Sequence, residues 1–203
     1  MSGSAIVIFA KAPVPGLAKT RLIPALQAGG AAALAERMLA HTVRVAAGAA
    51  PGTLEICAAP DSTHPVFVRL ARDAGLHLAT QGDGDLGRRM HRAFERVLAS
   101  HDRVLVIGTD APALDAGCLQ QAHAALVDHD AVFVPALDGG YALVGLRLPQ
   151  PALFDGIAWS TPTVMAQTRA RLRAAGLRWH ELPAVADIDE PADLVHLPQG
   201  WLP

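Results

Sequence analysis

A basic loop after the first apolar run of the chain holds the residues with the clearest chemical potential. It extends from Lys11 to Arg21, and two prolines and Gly16 fix an irregular backbone within it. Lys11, Lys19 and Arg21 supply three cations, which suit the charge of a diphosphate or triphosphate. The chain has no other lysine, which indicates that a compact ammonium group is needed here. The loop predicts a phosphate site, with Lys11, Gly16, Lys19 and Arg21 as candidate nucleotide-binding residues. A solvated basic loop is the alternative.

Carboxylates follow two later apolar runs, at places where a metal ion could neutralise them. Asp110 comes soon after a strand-like run, and Asp187 and Asp189 follow another run nearer the carboxyl end. Mg²⁺ prefers oxygen ligands and usually takes one or two protein carboxylates together with phosphates and water. The three aspartates are therefore candidate ligands of one Mg²⁺ or Mn²⁺ ion. Alternatively, Asp110 stabilises its own turn, and Asp189 or Glu190 caps a helix that begins at Pro191.

Two glycine-containing loops are candidates for contacts with a sugar, a base or an acceptor. The turn Asp138–Tyr141 could bring backbone N–H groups close to a ligand, although a plain two-glycine turn is the alternative. The segment Gln81–Met90 is a glycine-rich entry to a helix, where N–H groups can face an anion. Asp83 and Asp85 disfavour phosphate there and favour the ribose or base. The candidate binding residues are Gln81, Gly82, Arg89, Gly139, Gly140 and Tyr141.

Alternating apolar runs and amphipathic stretches predict the elements that position these loops. The predicted strands are Ala5–Ala10, Leu54–Ala59, Val104–Ile107 and Ala131–Pro135. The predicted helices are Ala31–Ala47, His64–Ala74, Gly87–Ser100, one capped by Asp115 and reaching Asp128, and one from Pro162 to Gly176. This alternation predicts one α/β domain over residues 1–203, with three layers and a mostly parallel sheet. The Asp138-Gly139-Gly140 turn joins two apolar runs and predicts an antiparallel hairpin.

The composition argues against several other classes of protein. A formal net charge of −2 and a pI of about 6.5 do not suit a general nucleic-acid binder or a polybasic membrane surface. No apolar run is long enough to predict a membrane span, and the first residues do not resemble a signal peptide. We therefore expect a cytoplasmic protein with no nucleic-acid or membrane partner. The hydrophobic fraction of 51% allows a homodimer without requiring one.

These motifs together resemble the DUF2064 family, whose members are usually called arsenosugar-biosynthesis or selenodomain-associated glycosyltransferases. The first match is the basic loop, from Phe9-Ala10-Lys11-Ala12-Pro13 through Lys19-Thr20-Arg21-Leu22. The later matches, in order, are Gln81-Gly82, Leu86-Gly87-x-Arg89-Met90, Ile107-Gly108-Thr109-Asp110-x-Pro112, Asp138-Gly139-Gly140-Tyr141, Trp159-Ser160-Thr161 and Asp187-Ile188-Asp189-x-Pro191. Ala111 departs from the small polar residue or cysteine that is common there, and this change leaves the aspartate in place.

The resemblance implies a GT-A-like, nucleotide-diphospho-sugar transferase fold, with kinship to phospholactate guanylyltransferases and molybdenum-cofactor nucleotidyltransferases. It implies that the three cations of the basic loop bind phosphates and that the three aspartates bind Mg²⁺. We therefore expect a Mg²⁺-dependent glycosyltransferase that uses a nucleotide-sugar donor and a small-molecule acceptor. Lys19, Arg21 and Asp110 are its candidate catalytic residues, and Asp138 is a candidate base. A nucleotidyltransferase that releases pyrophosphate and a non-catalytic nucleotide-binding module are the alternatives.

Overall fold

The computed structural model describes residues 3–49 and 52–202, with a seven-stranded sheet at the centre. The strands are β1 (Ser4–Lys11), β2 (Thr53–Ala59), β3 (His77–Thr80), β4 (Arg103–Ile107), β5 (Ala131–Pro135), β6 (Tyr141–Leu146) and β7 (Trp179–Glu181). The helices are α1 (Ile23–Ala49), α2 (Pro65–Ala74), α3 (Leu86–Leu98), α4 (Ala116–Ala125) and α5 (Val164–Ala174). Short 3₁₀ helices span Thr20–Leu22, Pro151–Leu153 and Pro191–His196.

The strand order of the sheet is β3-β2-β1-β4-β6-β5-β7. Strand β6 is antiparallel to both of its neighbours, β4 and β5, and the other neighbouring pairs are parallel. The predicted mostly parallel sheet with one hairpin is thus confirmed. Because β6 is reversed, its first residue, Tyr141, lies at the edge of the sheet where the parallel strands end.

Helices cover both faces of this sheet. Ile6 and Ile8 of β1 belong to a core that includes residues of α1, α2 and α4. Ala5 and Val7 belong to a second core that includes residues of α3 and α5. Successive side chains of a strand point to opposite faces, so a buried strand serves two hydrophobic cores. The predicted three-layer arrangement is confirmed. Within residues 3–49 and 52–202, no helix is long and apolar enough to cross a membrane.

Several predicted boundaries differ from the observed ones. Helix α1 begins at Ile23, well before the predicted start, and has a kink at Gln27. Helix α4 is capped by Asp115 as predicted but ends at Ala125. Helix α5 begins at Val164 rather than at Pro162, and the backbone of Pro162 instead packs against the β5–β6 turn. Strands β3 and β7 were not predicted, since they are short, partly exposed and lack an apolar run.

Candidate functional site

A cleft of about 1010 Å³ lies at the edge of the sheet where β1 and β4 end and β6 begins. The five segments that carry candidate residues all reach it. The predicted residues that line the cleft are Lys11, Lys19, Arg21, Gln81, Asp110, Asp138, Gly140, Tyr141, Asp187 and Asp189. Four other described candidates lie outside this lining, namely Gly16, Gly82, Arg89 and Gly139. Parallel strands end at one edge of a sheet, so loops far apart in sequence meet there.

The ammonium group of Lys19 lies between two of the predicted metal ligands. Its Nζ atom is 2.6 Å from Asp110 Oδ1 and 2.7 Å from Asp189 Oδ1. It also donates a hydrogen bond of 2.6 Å to the carbonyl oxygen of Ile188. Burial lowers the pKa of Lys19, but the two carboxylates outweigh that effect, and the pKa is raised overall. Lys19 is therefore charged and connects the two loops that carry these aspartates.

The other two cations of the basic loop lie at exposed parts of the cleft. Lys11 is the exposed last residue of β1. The Arg21 Nη1 atom is 3.7 Å from Glu190 Oε1, and both side chains are 63% exposed. An exposed ion pair of this kind contributes little to stability, so the Arg21 guanidinium remains accessible to an anion. The basic loop thus presents two accessible cations and one enclosed cation.

A buried isoleucine anchors the aspartates near the carboxyl end. Ile188 is fully buried and packs in a small core with Leu22. Its N–H donates a hydrogen bond of 2.8 Å to the carbonyl oxygen of Asp110. Asp187 and Asp189 both line the cleft, as expected for residues i and i+2 of an extended segment whose middle residue points inward. The packing of Ile188 therefore sets the direction of both carboxylates.

The competing helix-cap interpretation applies to Glu190. Glu190 precedes the 3₁₀ helix that begins at Pro191, and its side chain forms a capping box with Asp193. Asp193 Oδ2 accepts hydrogen bonds from the N–H groups of Asp189, at 3.0 Å, and Glu190, at 2.7 Å. Capping therefore involves Glu190 and Asp193, and it leaves the Asp189 carboxylate to contact Lys19.

Asp187 lies among other acidic side chains. Burial raises the pKa of Asp187 to about 6, and the charges of Asp138, Asp189 and Asp193 contribute to the rise. Asp138 Oδ1 accepts a hydrogen bond of 2.8 Å from the N–H of Gly140, which fixes the direction of that carboxylate. Like charges at short range disfavour ionisation unless a cation offsets them. The local charge around Asp187 therefore favours a bound cation.

The three predicted ligands share the cleft without forming a closed metal cage. Among the described residues, no group of three His, Cys, Asp or Glu side chains is arranged to hold a metal ion. Lys19 occupies one oxygen each of Asp110 and Asp189. Mg²⁺ needs only one or two protein carboxylates when phosphates and water complete its coordination. The residues fit an ion that binds together with a phosphate-containing ligand, and the three-aspartate set stays a prediction.

The loop after β3 is held by side chains that are candidate ligand contacts. The Gln81 amide donates hydrogen bonds to the carbonyl oxygens of Ala10, at 3.3 Å, and Cys57, at 3.0 Å, and so joins β1 to β2. Arg89 Nε donates a hydrogen bond of 2.8 Å to the carbonyl oxygen of Gly84. These contacts show structural roles for Gln81 and Arg89, and a ligand contact by either stays a prediction.

Gly139 has a packing role in the β5–β6 turn. Its φ is 91°, and a Cβ atom there would lie 2.1 Å from the carbonyl oxygen of Pro162. Its carbonyl oxygen accepts a hydrogen bond of 2.8 Å from the N–H of Met165. Glycine therefore allows the turn to pack closely against the start of α5.

Two aromatic residues of the cleft have polar atoms without partners. The Tyr141 hydroxyl and Trp159 Nε1 are buried and make no hydrogen bond within the described part of the chain. The two rings meet edge to face, with centroids 6.3 Å apart. The Trp159 indole packs against Gly87, where a Cβ atom would lie 2.7 Å from Nε1. Trp159 was missed as a cleft residue, because its sequence motif indicates only a helix cap with a packed indole.

The family described as "Uncharacterized protein conserved in bacteria (DUF2064)" matches residues 25–161 of the chain. No curated protein matches the chain. A protein from Desulfovibrio desulfuricans G20, provisionally assigned as a nucleotide-diphospho-sugar transferase, is 33% identical, with a TM-score of 0.87. The match covers 96% of this chain and 85% of that protein.

More distant structures share the fold. Glucosyl-3-phosphoglycerate synthase from Mycobacterium tuberculosis, in complex with Mn²⁺, UDP and glucosyl-3-phosphoglycerate, is 11% identical with a TM-score of 0.55, over 96% of this chain and 75% of that one. CMP:2-keto-3-deoxy-manno-octonic acid synthetase, in complex with CTP, is 14% identical with a TM-score of 0.58, over 96% of both chains. These similarities confirm the GT-A-like fold.

Proposed function

This chain belongs to the DUF2064 family, and on that premise we propose that it is a metal-dependent glycosyltransferase. Its donor is a nucleotide-diphosphate sugar, and its acceptor is a small molecule. One observation carries the proposal: Lys19 of the basic loop contacts Asp110 and Asp189 of two later loops in a single cleft. The assignment of the Desulfovibrio relative supports sugar transfer over nucleotidyl transfer.

The accessible cations of the basic loop are suited to hold the donor diphosphate. Arg21 lines the cleft, and its weak pairing with Glu190 leaves the guanidinium free to grip phosphate oxygens in a bidentate manner. Lys11 lines the same cleft and supplies a more flexible point charge. These two residues stabilise the negative charge that develops on the leaving diphosphate.

The aspartates are suited to hold a Mg²⁺ or Mn²⁺ ion, with Asp110, Asp187 and Asp189 as ligands. Such an ion, when bound, neutralises charge on the diphosphate and polarises its oxygens. Asp138, oriented by the Gly140 N–H, accepts the proton of the acceptor hydroxyl as that oxygen bonds to the anomeric carbon. The bond from that carbon to the diphosphate oxygen breaks, and the nucleoside diphosphate leaves.

The first test is metal-dependent binding of the donor, measured by isothermal titration on wild type and Asp110→Asn. We expect Asp110→Asn to weaken Mg²⁺-dependent nucleotide-sugar binding by about tenfold or more, the scale of effect seen when metal-site interactions are lost. Asp102→Asn is the matched control, because Asp102 is exposed and lies at the opposite end of β4. Equal affinity in Asp110→Asn and wild type would remove Asp110 from the site.

The second measurement separates sugar transfer from the alternatives. Thermal stabilisation by nucleotide sugars plus Mg²⁺ or Mn²⁺, followed by release of nucleoside diphosphate, supports a glycosyltransferase, since a ligand stabilises the state that binds it. Stabilisation by a nucleoside triphosphate with release of pyrophosphate indicates a nucleotidyltransferase instead. Tight, metal-independent binding without turnover of either class of nucleotide indicates a non-catalytic module.

A further inference from the structure

Lys19 uses its full bonding capacity inside the protein. A lysine ammonium has three donor hydrogens, and this one has three oxygen partners, on Asp110, Asp189 and Ile188. The side chain is only 9% exposed. In this arrangement Lys19 has no donor left for a phosphate in the cleft, unlike exposed Lys11. Lys19 therefore has a different role from Lys11 in the free protein.

The ammonium occupies one oxygen of each of two carboxylates that are candidate ligands of a divalent ion. Oxygen ligands lie about 2.0–2.6 Å from Mg²⁺ or Ca²⁺, and Lys19 Nζ is already 2.6 Å from Asp110 Oδ1 and 2.7 Å from Asp189 Oδ1. A dication at these atoms would lie within a few ångströms of the ammonium, where like charges in a partly enclosed site repel strongly. The two cations therefore compete for Asp110 and Asp189.

The backbone of Lys19 is in an uncommon conformation. Its φ and ψ are 48° and 45°, in the left-handed region, which is unfavourable for a residue that has a Cβ atom. Lys19 immediately precedes the 3₁₀ helix Thr20–Leu22, and its carbonyl oxygen accepts a hydrogen bond from the Leu22 N–H. Together with the ammonium contacts, this bond holds Lys19 in place. An anion that competes with the two aspartates for the Lys19 ammonium therefore needs to displace only the flexible side chain, and the backbone can stay in place.

We propose that Lys19 is a tethered counter-ion that keeps divalent metal out of the Asp110–Asp189 pair until the donor binds. The donor phosphates provide alternative acceptors for the ammonium, so metal and nucleotide bind together and neither carboxylate is left without a cation. This inference rests on the proposed metal-dependent function. It assigns to Lys19 the control of metal affinity, in addition to the phosphate contact expected from the sequence.

The test is a titration of the protein with Mn²⁺ in the absence of nucleotide. The electron paramagnetic resonance signal of the free ion measures how much Mn²⁺ is unbound. We expect Lys19→Met to bind Mn²⁺ at least about tenfold more tightly than wild type, because the competing charge is gone. Lys11→Met is the matched control and should bind as weakly as wild type, because within the described part of the chain Asp110 and Asp189 form their ion pairs with Lys19 and not with Lys11. Lys19→Arg, which keeps the charge, should also bind weakly. Absence of tighter binding in Lys19→Met would overturn the inference.

A second measurement applies if Lys19→Met does not fold. Biosynthetic labelling with lysine that carries ¹⁵N at Nζ and ¹³C at Cε leaves all three donor hydrogens in place, and the chain has only two lysines, Lys11 and Lys19. We expect the Lys19 signal of wild type to shift when nucleotide and Mg²⁺ are added together, and not with Mg²⁺ alone. A Lys19 signal that does not shift, either with Mg²⁺ alone or with nucleotide and Mg²⁺ together, would contradict the inference. Failure of wild type to bind Mn²⁺ with any nucleotide would instead contradict the proposed function. Where Lys19→Met folds, its titration without nucleotide still tests the competition at Asp110 and Asp189 separately.

Discussion

At the scale of single residues, burial of the Tyr141 hydroxyl lowers the stability of the folded protein. It has no hydrogen-bond partner within residues 3–49 and 52–202, and burial raises the pKa of Tyr141 well above its ordinary value. A buried polar group left unpaired costs about 1–3 kcal/mol. Because Tyr141 also lines the cleft, we infer that this hydroxyl serves ligand binding rather than stability.

We predict that Tyr141→Phe stabilises the free protein and weakens its response to ligand. Removal of the unpaired hydroxyl should raise the melting temperature by about 2–12 °C, given roughly 2–4 °C per kcal/mol in a chain of this size. Stabilisation by a nucleotide sugar, or by a nucleotide together with acceptor candidates, should decrease in the same variant. Thermal unfolding with and without ligand measures both effects. A lower melting temperature with an unchanged ligand response would contradict this role for Tyr141.

At the scale of elements, the β5–β6 hairpin and α5 depend on one close contact. Gly139 packs against the backbone of Pro162 with a φ of 91°, and its carbonyl oxygen binds the Met165 N–H. The neighbouring Gly140 is less constrained, because a Cβ atom there would meet only Asp138, at 3.1 Å from Oδ1. Two adjacent glycines therefore have different functions, one in packing and one in the cleft lining.

We predict that Gly139→Ala lowers the free energy of unfolding by roughly 2–4 kcal/mol, from backbone overlap and the positive φ. Gly140→Ala is the matched control and should have a much smaller effect on stability. Denaturant unfolding measures both values. Similar losses in the two variants would show that the turn does not depend on the contact with Pro162.

At the scale of the whole molecule, a third small core joins distant parts of the chain. Leu22 and α1 pack there with Ile188, and Trp201 packs against this core. The Arg37 guanidinium lies 5.0 Å from the centre of the Trp201 ring and donates a hydrogen bond of 3.0 Å to the carbonyl oxygen of Gly200. This core supports both the basic loop and the Asp187–Asp189 segment, so the cleft depends on packing behind it.

Global stability should also depend on pH through a buried histidine in α4. His123 is 7% exposed, and neither ring nitrogen has a partner among the described residues. Burial, together with Arg103, lowers the pKa of His123 to about 4, against about 6.5 in an unfolded chain. Between these values only the unfolded chain binds the proton, so this contribution to stability is lost as the pH falls from about 6.5 to 4.

Wild type loses stability between pH 7 and pH 4.5, and we predict that this loss is smaller by about 1–3 kcal/mol in His123→Phe. Denaturant unfolding at the two pH values measures it, with exposed His77→Phe as the control. The raised pKa of Asp187 has the opposite effect on stability, because this carboxylate binds a proton more readily in the folded protein than in the unfolded chain. This effect is the same in wild type, His123→Phe and His77→Phe. An equal loss in wild type and His123→Phe would contradict the assignment to His123.

Much of the fold follows from local patterns in the sequence. The apolar runs at β1, β2, β4 and β5 predict their strands because each forms a buried strand whose residues pack on both faces of the sheet. The Asp138-Gly139-Gly140 turn predicts the hairpin because few other residues allow so tight a reversal. Strands β3 and β7 could not be predicted, since their pairing depends on neighbours in the sheet rather than on their own sequence.

The candidate site was predictable in its residue types but not in its contacts. The sequence alone determines the family, and the charges of Lys19, Asp110 and Asp189 predict a phosphate and metal site wherever the chain places them. Only the tertiary structure decides that the Lys19 ammonium lies on the two carboxylates, and that Trp159 packs beside Tyr141. The reason is that local propensity acts over a few residues, whereas Lys19 and Asp189 are 170 positions apart and meet only because a parallel sheet gathers its loops at one edge.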